Sequence, residues 1–288
     1  ENGTEPPLYW RQVADFNPKN HPMLPVFYHS LACNHCESAP CMSNCPADAF
    51  SRDSHTGAVI HHADKCIGCK YCTWACPYDA PAFNESSGLV EKCTFCNHRL
   101  QEGLEPACTQ MCPTGALQFG HMEQGREVTH VPGFTDAGIQ PGIQFIPLRK
   151  RHTQPQTSQP VPETVPEDIR QEPPSKIDAR VEWPLVAFTL IAAILAGAFT
   201  ASAFGGLQLA PALFMGAGAV AGMLSTAHLG RKLRAGRSVL HVRNSWLSRE
   251  ILAYGLFLGG AAAHFWLWPN SNLILWATAA AGLFTVYA

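Results

Sequence analysis

Past residue 112 this 288-residue chain has no cysteine, and past residue 182 it has a single carboxylate, Glu250. The first absence confines any thiol chemistry to the front of the molecule. The second, with three long runs free of Asp, Glu, Lys and Arg (Trp183–Phe204, Leu207–Leu229 and Ile251–Trp268), marks a back part made for a non-aqueous solvent. No Ser/His/Asp arrangement and no phosphate-binding loop is present, which argues against hydrolytic or nucleotide chemistry. There is no initiator Met and no charged-then-apolar leader. The chain stops at Tyr287-Ala288 inside an apolar run, so both ends read as cut.

The overall charge of −2 conceals an asymmetry. Residues 1–120 hold 7 Lys+Arg against 12 Asp+Glu, whereas residues 183–288 hold 6 cations against Glu250 alone. An acidic front and a basic, apolar back imply two environments, and the acidic front argues against nucleic acid as a partner.

What is abundant in the front is a repeated cysteine pattern. Cys66-Ile67-Gly68-Cys69-Lys70-Tyr71-Cys72-Thr73-Trp74-Ala75-Cys76-Pro77 reads C-x2-C-x2-C-x3-C-P, the spacing that holds [4Fe–4S] clusters. Three close thiolates reach three irons of one cuboidal cluster, and the fourth, before proline, serves a neighbouring cluster. Gly68 supplies backbone freedom where a tight loop wraps a bulky core. The pattern recurs as Cys33-x2-Cys36-x4-Cys41-x3-Cys45-Pro46 and as Cys93-x2-Cys96-x11-Cys108-x3-Cys112-Pro113, which together use all twelve cysteines. A zinc ribbon would need neither the third cysteine nor the C-x3-C-P exit. A disulfide scaffold belongs to small secreted domains, not to a chain with long apolar runs.

Because the fourth cysteine serves the partner cluster, blocks pair. The first two give Cys33, Cys36, Cys41 with Cys76 on one cluster, and Cys66, Cys69, Cys72 with Cys45 on the other. The third block keeps Cys93, Cys96 and Cys108, a cluster lacking one ligand, while Cys112 points to a fourth cluster whose own block is missing. A block upstream of Glu1 explains this; a three-cysteine cluster with a labile iron, suited to a sensor, is the alternative.

Residues 1–25, with five prolines, read as irregular. Val26–Leu31 reads as a short strand feeding Cys33, and Gly57-Ala58-Val59-Ile60 and Gly88-Leu89-Val90 as turns entering short strands. Residues 1–147 are thus expected to form an α+β, ferredoxin-like [4Fe–4S] domain. Residues 148–182, with Pro155, Pro160, Pro162, Pro166, Pro173 and Pro174, read as an extended tether of about 3.1 Å per residue. Residues 183–288 are expected to form an all-α transmembrane bundle of about four helices, Leu273–Ala288 being a clipped fourth. Gly218-x3-Gly222 and Gly255-x3-Gly259 offer small faces for helix packing in lipid.

Between spans two and three stand Arg231, Lys232, Arg234, Arg237, Arg243 and Arg249. The positive-inside rule puts this loop, and with it the cysteine domain, in the cytoplasm. If these cations instead dock the acidic domain, the orientation reading is weakened. His228 ends span two and Glu250 opens span three, ionisable groups at one membrane edge. Clusters beside a membrane anchor imply exchange with a lipid-soluble quinone, whose two protons such groups would accept. An interfacial histidine and a helix-starting glutamate are the plainer reading. His264 stands thirteen residues into its span, about 20 Å from the end where His228 lies, so the two cannot share a haem.

Ser30-Leu31-Ala32-Cys33-Asn34-His35-Cys36 and Cys66–Cys72, within residues 8–120, resemble the four-cluster subunit of dimethyl sulfoxide reductase and related molybdopterin oxidoreductases. Residues 183–288, with His228-Leu229-Gly230 and Ser248-Arg249-Glu250-Ile251, resemble the membrane anchor of that family. The resemblance implies four clusters, with the first block paired to the last and the middle two to each other. It also implies an anchor that has eight spans, binds menaquinol and carries no haem, with His228 and Glu250 at the quinol site. The partner implied is a separate molybdopterin catalytic subunit, no molybdopterin signature being present here. Fusion of the two subunits departs from the best-known members. So does the orientation, since those reductases face the periplasm. The expectation is an electron-transfer and anchor subunit of a bacterial or archaeal cytoplasmic membrane, not itself catalytic. Reverse wiring as a dehydrogenase subunit and a zinc-stabilised scaffold remain as rivals.

Overall fold

The computed structural model describes residues 8–16, 27–121, 134, 137–146, 177–178 and 180–287. Residues 148–176 of the proposed tether lie outside them. The front part is built from hairpins and single helical turns. Strand β1 (Arg11–Phe16) pairs antiparallel with β2 (Phe27–Ala32), β3 (Phe50–Arg52) with β4 (Val59–His61), and β5 (Ala82–Asn84) with β6 (Leu89–Glu91). Strands β2, β4 and β6 begin where the sequence placed them. Strand β1 corrects the irregular reading of residues 1–25: the prolines fall on either side of Arg11–Phe16, leaving every amide of the strand able to pair.

Each cysteine block repeats one local design. The C-x3-C-P exit straddles a helical turn: α1 (Pro40–Ser43) holds Cys41, α2 (Tyr71–Ala75) holds Cys72 and α4 (Ala107–Gln110) holds Cys108. Helix α3 (Asn97–Gln101) begins directly after Cys96. The third residue of each C-x2-C, namely His35, Gly68 and Phe95, has a positive φ of 45°, 69° and 59°. Asp48, Asp79 and Gly115, three residues past each final cysteine, repeat this with 49°, 51° and 65°. Side chains other than glycine are uncommon there, so the fold imposes the turn even where the sequence does not favour it.

The back part contains four apolar helices: α5 (Trp183–Ala203), α6 (Pro211–Ala227), α7 (Trp246–Ala262) and α8 (Asn272–Tyr287). Helix α7 runs on through a π-helical turn at Ala263–Leu267. By length and composition α5 and the extended α7 can cross a membrane. Helix α6 joins them if counted with the 3-10 helix Lys232–Val239, to which it is bent by 103°. Helix α8, at 16 residues, falls short of spanning length. Phe199 and Phe257 are fully buried, edge to face at 5.9 Å, and Phe214 packs on both. Large apolar side chains such as Leu190, Ile194 and Leu213 point outward, as lipid contact requires.

The small-residue faces are only half as expected. Gly218 lies against Leu258, and its carbonyl accepts from Tyr254 Oη at 2.7 Å. Gly255 and Gly259 have open space, so they are not a packing face. Close approach occurs instead at Gly260 on Thr278 and at Gly282 on Phe257.

Candidate metal centres

Two cavities in the front part sort eight cysteines into two sets. One, with about 350 Å³ of empty space that is open in part to solvent, is lined by Cys33, Cys36, Cys41 and Cys76. The other, of about 300 Å³, is lined by Cys45, Cys66, Cys69 and Cys72. Cys45 and Cys76 have each crossed to the other block's cavity, the exchange that the spacing called for. Hairpin β3–β4 and the α1 and α2 turns form the wall between them, with Val59, Phe50 and Ile67 buried there.

All eight thiols are free, and burial holds many of them far from ionisation. It pushes Cys41 and Cys69 up to about 12 each and Cys36 to about 11, and Cys72 well above the usual range. As thiolates, the form that ligates a metal, they could be held in these cavities only if a cationic centre compensates their charge. Among the described residues no three His, Cys, Asp or Glu side chains converge closely enough to chelate one ion. Four thiols set around a common centre without converging on a single point suit a bulky inorganic core better than one zinc ion at about 2.3 Å from each sulfur. Backbone amides aim at the sulfurs as well. Gly68 N–H donates to Cys66 Sγ at 3.4 Å, Phe95 N–H to Cys93 Sγ at 3.4 Å, and Ala49 N–H to Cys45 Sγ at 3.3 Å.

The third block is more open: Cys96 is buried, while Cys93, Cys108 and Cys112 are intermediate. Cys112 is drawn down to about 7 by donors from Leu117 and Thr114. The three sets adjoin. Cys41 of the first cavity acts electrostatically on Cys72 of the second, and Cys33 of the first acts on Cys93 of the third block.

Among the described residues, the anchor is seated on the loop of the second cavity. Gly230 N–H donates to Gly68 O at 3.2 Å and Arg231 N–H to Ile67 O at 3.0 Å. Arg234 Nη1 donates to Ala63 O (2.8 Å) and Cys66 O (3.1 Å), and Ser245 Oγ to Asn44 O (3.1 Å). His241 Nδ1 lies 3.0 Å from Cys45 O. Leu229 is buried within the core of the cysteine domain. Gly68, Gly88 and Gly230, from three separate segments, touch backbone to backbone: a Cβ on Gly230 would stand 2.1 Å from Gly88 O. Lys70, between Cys69 and Tyr71, forms an ion pair of 2.7 Å with Glu182 at the start of α5.

Two sequence readings change here. Arg234 is spent on docking and Arg249 on the carbonyls of Val242 and Arg243. Part of the cationic loop therefore has a structural use, which weakens the charge rule as a guide to the side of the membrane. Glu250 does not open α7, which is capped by Ser245 Oγ accepting from Ser248 N–H; it sits in the helix's second turn. The charges acting on His228 are Glu182 and Lys70, not Glu250. Glu182 was read as the end of the tether. Its signal was that it is the last carboxylate before the uncharged run, one residue ahead of Trp183-Pro184.

Residues 24–122 match the family described as a 4Fe-4S dicluster domain, and residues 178–272 match that of the DMSO reductase anchor subunit. The chain thus carries a region similar to a 4Fe-4S dicluster domain followed by one similar to the DMSO reductase anchor subunit. The iron–sulfur part is 43% identical over 118 residues to a protein of Halobacterium salinarum described as a dimethyl sulfoxide reductase iron-sulfur subunit, covering 35% of this chain and 44% of that one. It is 43% identical over 102 residues to an anaerobic dimethyl sulfoxide reductase component of Escherichia coli, covering 35% and 49%. With the thiosulfate reductase electron transfer subunit of Salmonella typhi the identity is 45% over 95 residues, covering 33% and 49%. The chain spans about half the length of these relatives. The anchor match begins at residue 178 and so takes in Glu182. The two four-cysteine sets accord with the dicluster description of the matching family.

Proposed function

We propose that this protein carries electrons between a membrane quinol, menaquinol in the first instance, and a separate molybdopterin catalytic subunit, as in respiration with dimethyl sulfoxide or thiosulfate. In this reading Cys33, Cys36, Cys41 and Cys76 hold one [4Fe–4S] cluster, and Cys45, Cys66, Cys69 and Cys72 hold another. Cys93, Cys96 and Cys108 hold a third, and Cys112 serves a fourth. Such clusters supply one-electron carriers whose potentials follow burial and hydrogen bonds to sulfur. His228 and Glu250 are the proposed quinol-site residues. The membrane is the prokaryotic cytoplasmic membrane.

One observation carries this: the anchor is seated on the loop of one cysteine set, and the sets adjoin in the order second cavity, first cavity, third block. That is a line leading away from the membrane part. His228 precedes by two residues the Gly230 that touches this loop, so a ligand there lies at the head of the line. The chain's own residues seat the anchor, keep water from the thiols and offer proton acceptors at the junction.

The test is iron and acid-labile sulfide analysis of anaerobically purified protein, with electron paramagnetic resonance (EPR) during reduction by a menaquinol analogue. Iron and sulfide in near-equal amounts, with signals that grow on quinol addition, are expected. Zinc without sulfide overturns the redox reading, and clusters reducible by dithionite but never by quinol overturn the quinol part.

A further inference from the structure

Two buried polar atoms at the junction lack a hydrogen-bond partner. Glu182 is only 4% exposed; its Oε1 is taken by Lys70, but its Oε2 is buried and unpaired. His228, at the end of α6, has a buried Nδ1 that no atom meets in hydrogen-bond geometry, although the Ser225 carbonyl is near enough to act on the ring. The two side chains come from the facing ends of α5 and α6, and the charge of Glu182 acts on the His228 ring. A buried carboxylate oxygen without a donor is costly, and so is a buried imidazole nitrogen.

A hydroxyl group answers both needs at once, since it can donate its one proton to the carboxylate while accepting from an imidazole N–H. The site lies where α5 begins, beside the loop that carries Cys69, at the end of the bundle where the apolar helices meet the cysteine domain. We propose that Glu182 is a quinol-binding residue, accepting a hydrogen bond from one quinol hydroxyl opposite His228. Lys70 is its positioning residue. Its Nζ fixes Oε1 and itself rests 4.9 Å from the centre of the Phe83 ring, which leaves Oε2 free for the ligand. This rests on the quinol reading above and adds to it a group from the opposite helix. An ion pair that merely bolts the domains together would use Glu182 equally well, but would not require Oε2 to be free.

The experiment is fluorescence titration of a hydroxyquinoline N-oxide, a quinol mimic, against the cluster-loaded protein in membranes. Glu182→Gln keeps an oxygen for Lys70 and turns the free position into a donor. Weakening of the mimic by about tenfold or more, with an unchanged EPR spectrum of the dithionite-reduced protein, is the expected result. Lys70→Met is expected to weaken the mimic as well. If Glu182→Gln binds within roughly twofold of the unaltered protein while His228→Ala loses binding, the role of Glu182 is refuted and the quinol site stands. If the unaltered protein does not bind the mimic, the quinol site falls and Glu182 with it. Should Glu182→Gln fail to assemble, Glu182→Asp keeps the charge but withdraws the oxygen by one methylene. Binding undiminished in that variant overturns the proposal, with water as the occupant of the gap.

Discussion

Gly230 donates its amide to the carbonyl of Gly68 at 3.2 Å, although the two residues belong to different domains. Gly88 completes the contact, and no side chain intervenes. At Gly68 and Gly88 the backbone also has positive φ, so glycine meets both a conformational and a steric demand.

Gly230→Ala is therefore expected to part the domains, because its methyl would press on Gly88 O. A shift of about 1 Å at such a junction should slow quinol-driven reduction by roughly a hundredfold. Dithionite-driven reduction should be unchanged. Stopped-flow absorbance with each reductant separates the two.

Arg234→Met should loosen the same junction from another side by removing the bonds to the Ala63 and Cys66 carbonyls. Hydrogen bonds from charged donors contribute about 1.5–3 kcal/mol each, and partial exposure places these at the lower end. The expected readout is faster proteolytic release of the cysteine domain, with membrane insertion intact. Insertion lost in this variant would mean that the two domains do not form independently.

The exchange of Cys45 and Cys76 gives a spectroscopic prediction. Cys45→Ser should alter the same EPR signal as Cys69→Ser, and Cys76→Ser the same signal as Cys36→Ser. Signals grouped by sequence block instead would contradict the cavities.

Removing the metal should expose a pH dependence. In the metal-free fold Cys41 and Cys69 are raised to about 12 from an ordinary 9, by burial first. A raised pKa means that the folded state holds its proton where the unfolded chain has lost it. That stability is fully present below pH 9 and is lost as pH climbs from 9 toward 12. Urea midpoints of the metal-free protein should fall over this interval. The loaded protein, whose ligating sulfurs carry no proton to lose, should not show this thiol-linked fall.

Much of the centre could be read from spacing. The C-x3-C-P exits assigned Cys45 and Cys76 across blocks, and Gly57 and Gly88 marked the entries to β4 and β6. Strand β1 escaped notice because prolines around it outweighed the six residues that lack them. The junction escaped for a different reason. Lys70 and Glu182 are 112 positions apart, and Arg234 reaches carbonyls 168 and 171 positions back. Neither periodicity nor local propensity carries such contacts. The positive-φ residues His35 and Phe95 were equally hidden, because only Gly68 of the three advertises its turn.

The swapped cysteines also bear on how the protein is made. Neither cavity can be closed by its own stretch of chain, since one waits for Cys76 and the other borrows Cys45. A nascent polypeptide that has emerged only through the first block therefore offers four thiols, three for one cage and one for the other, and no finished cage. The second cage has all four thiols once Cys72 has emerged and the first only four residues later, at Cys76, so neither can be filled from the first block alone and both wait for the second.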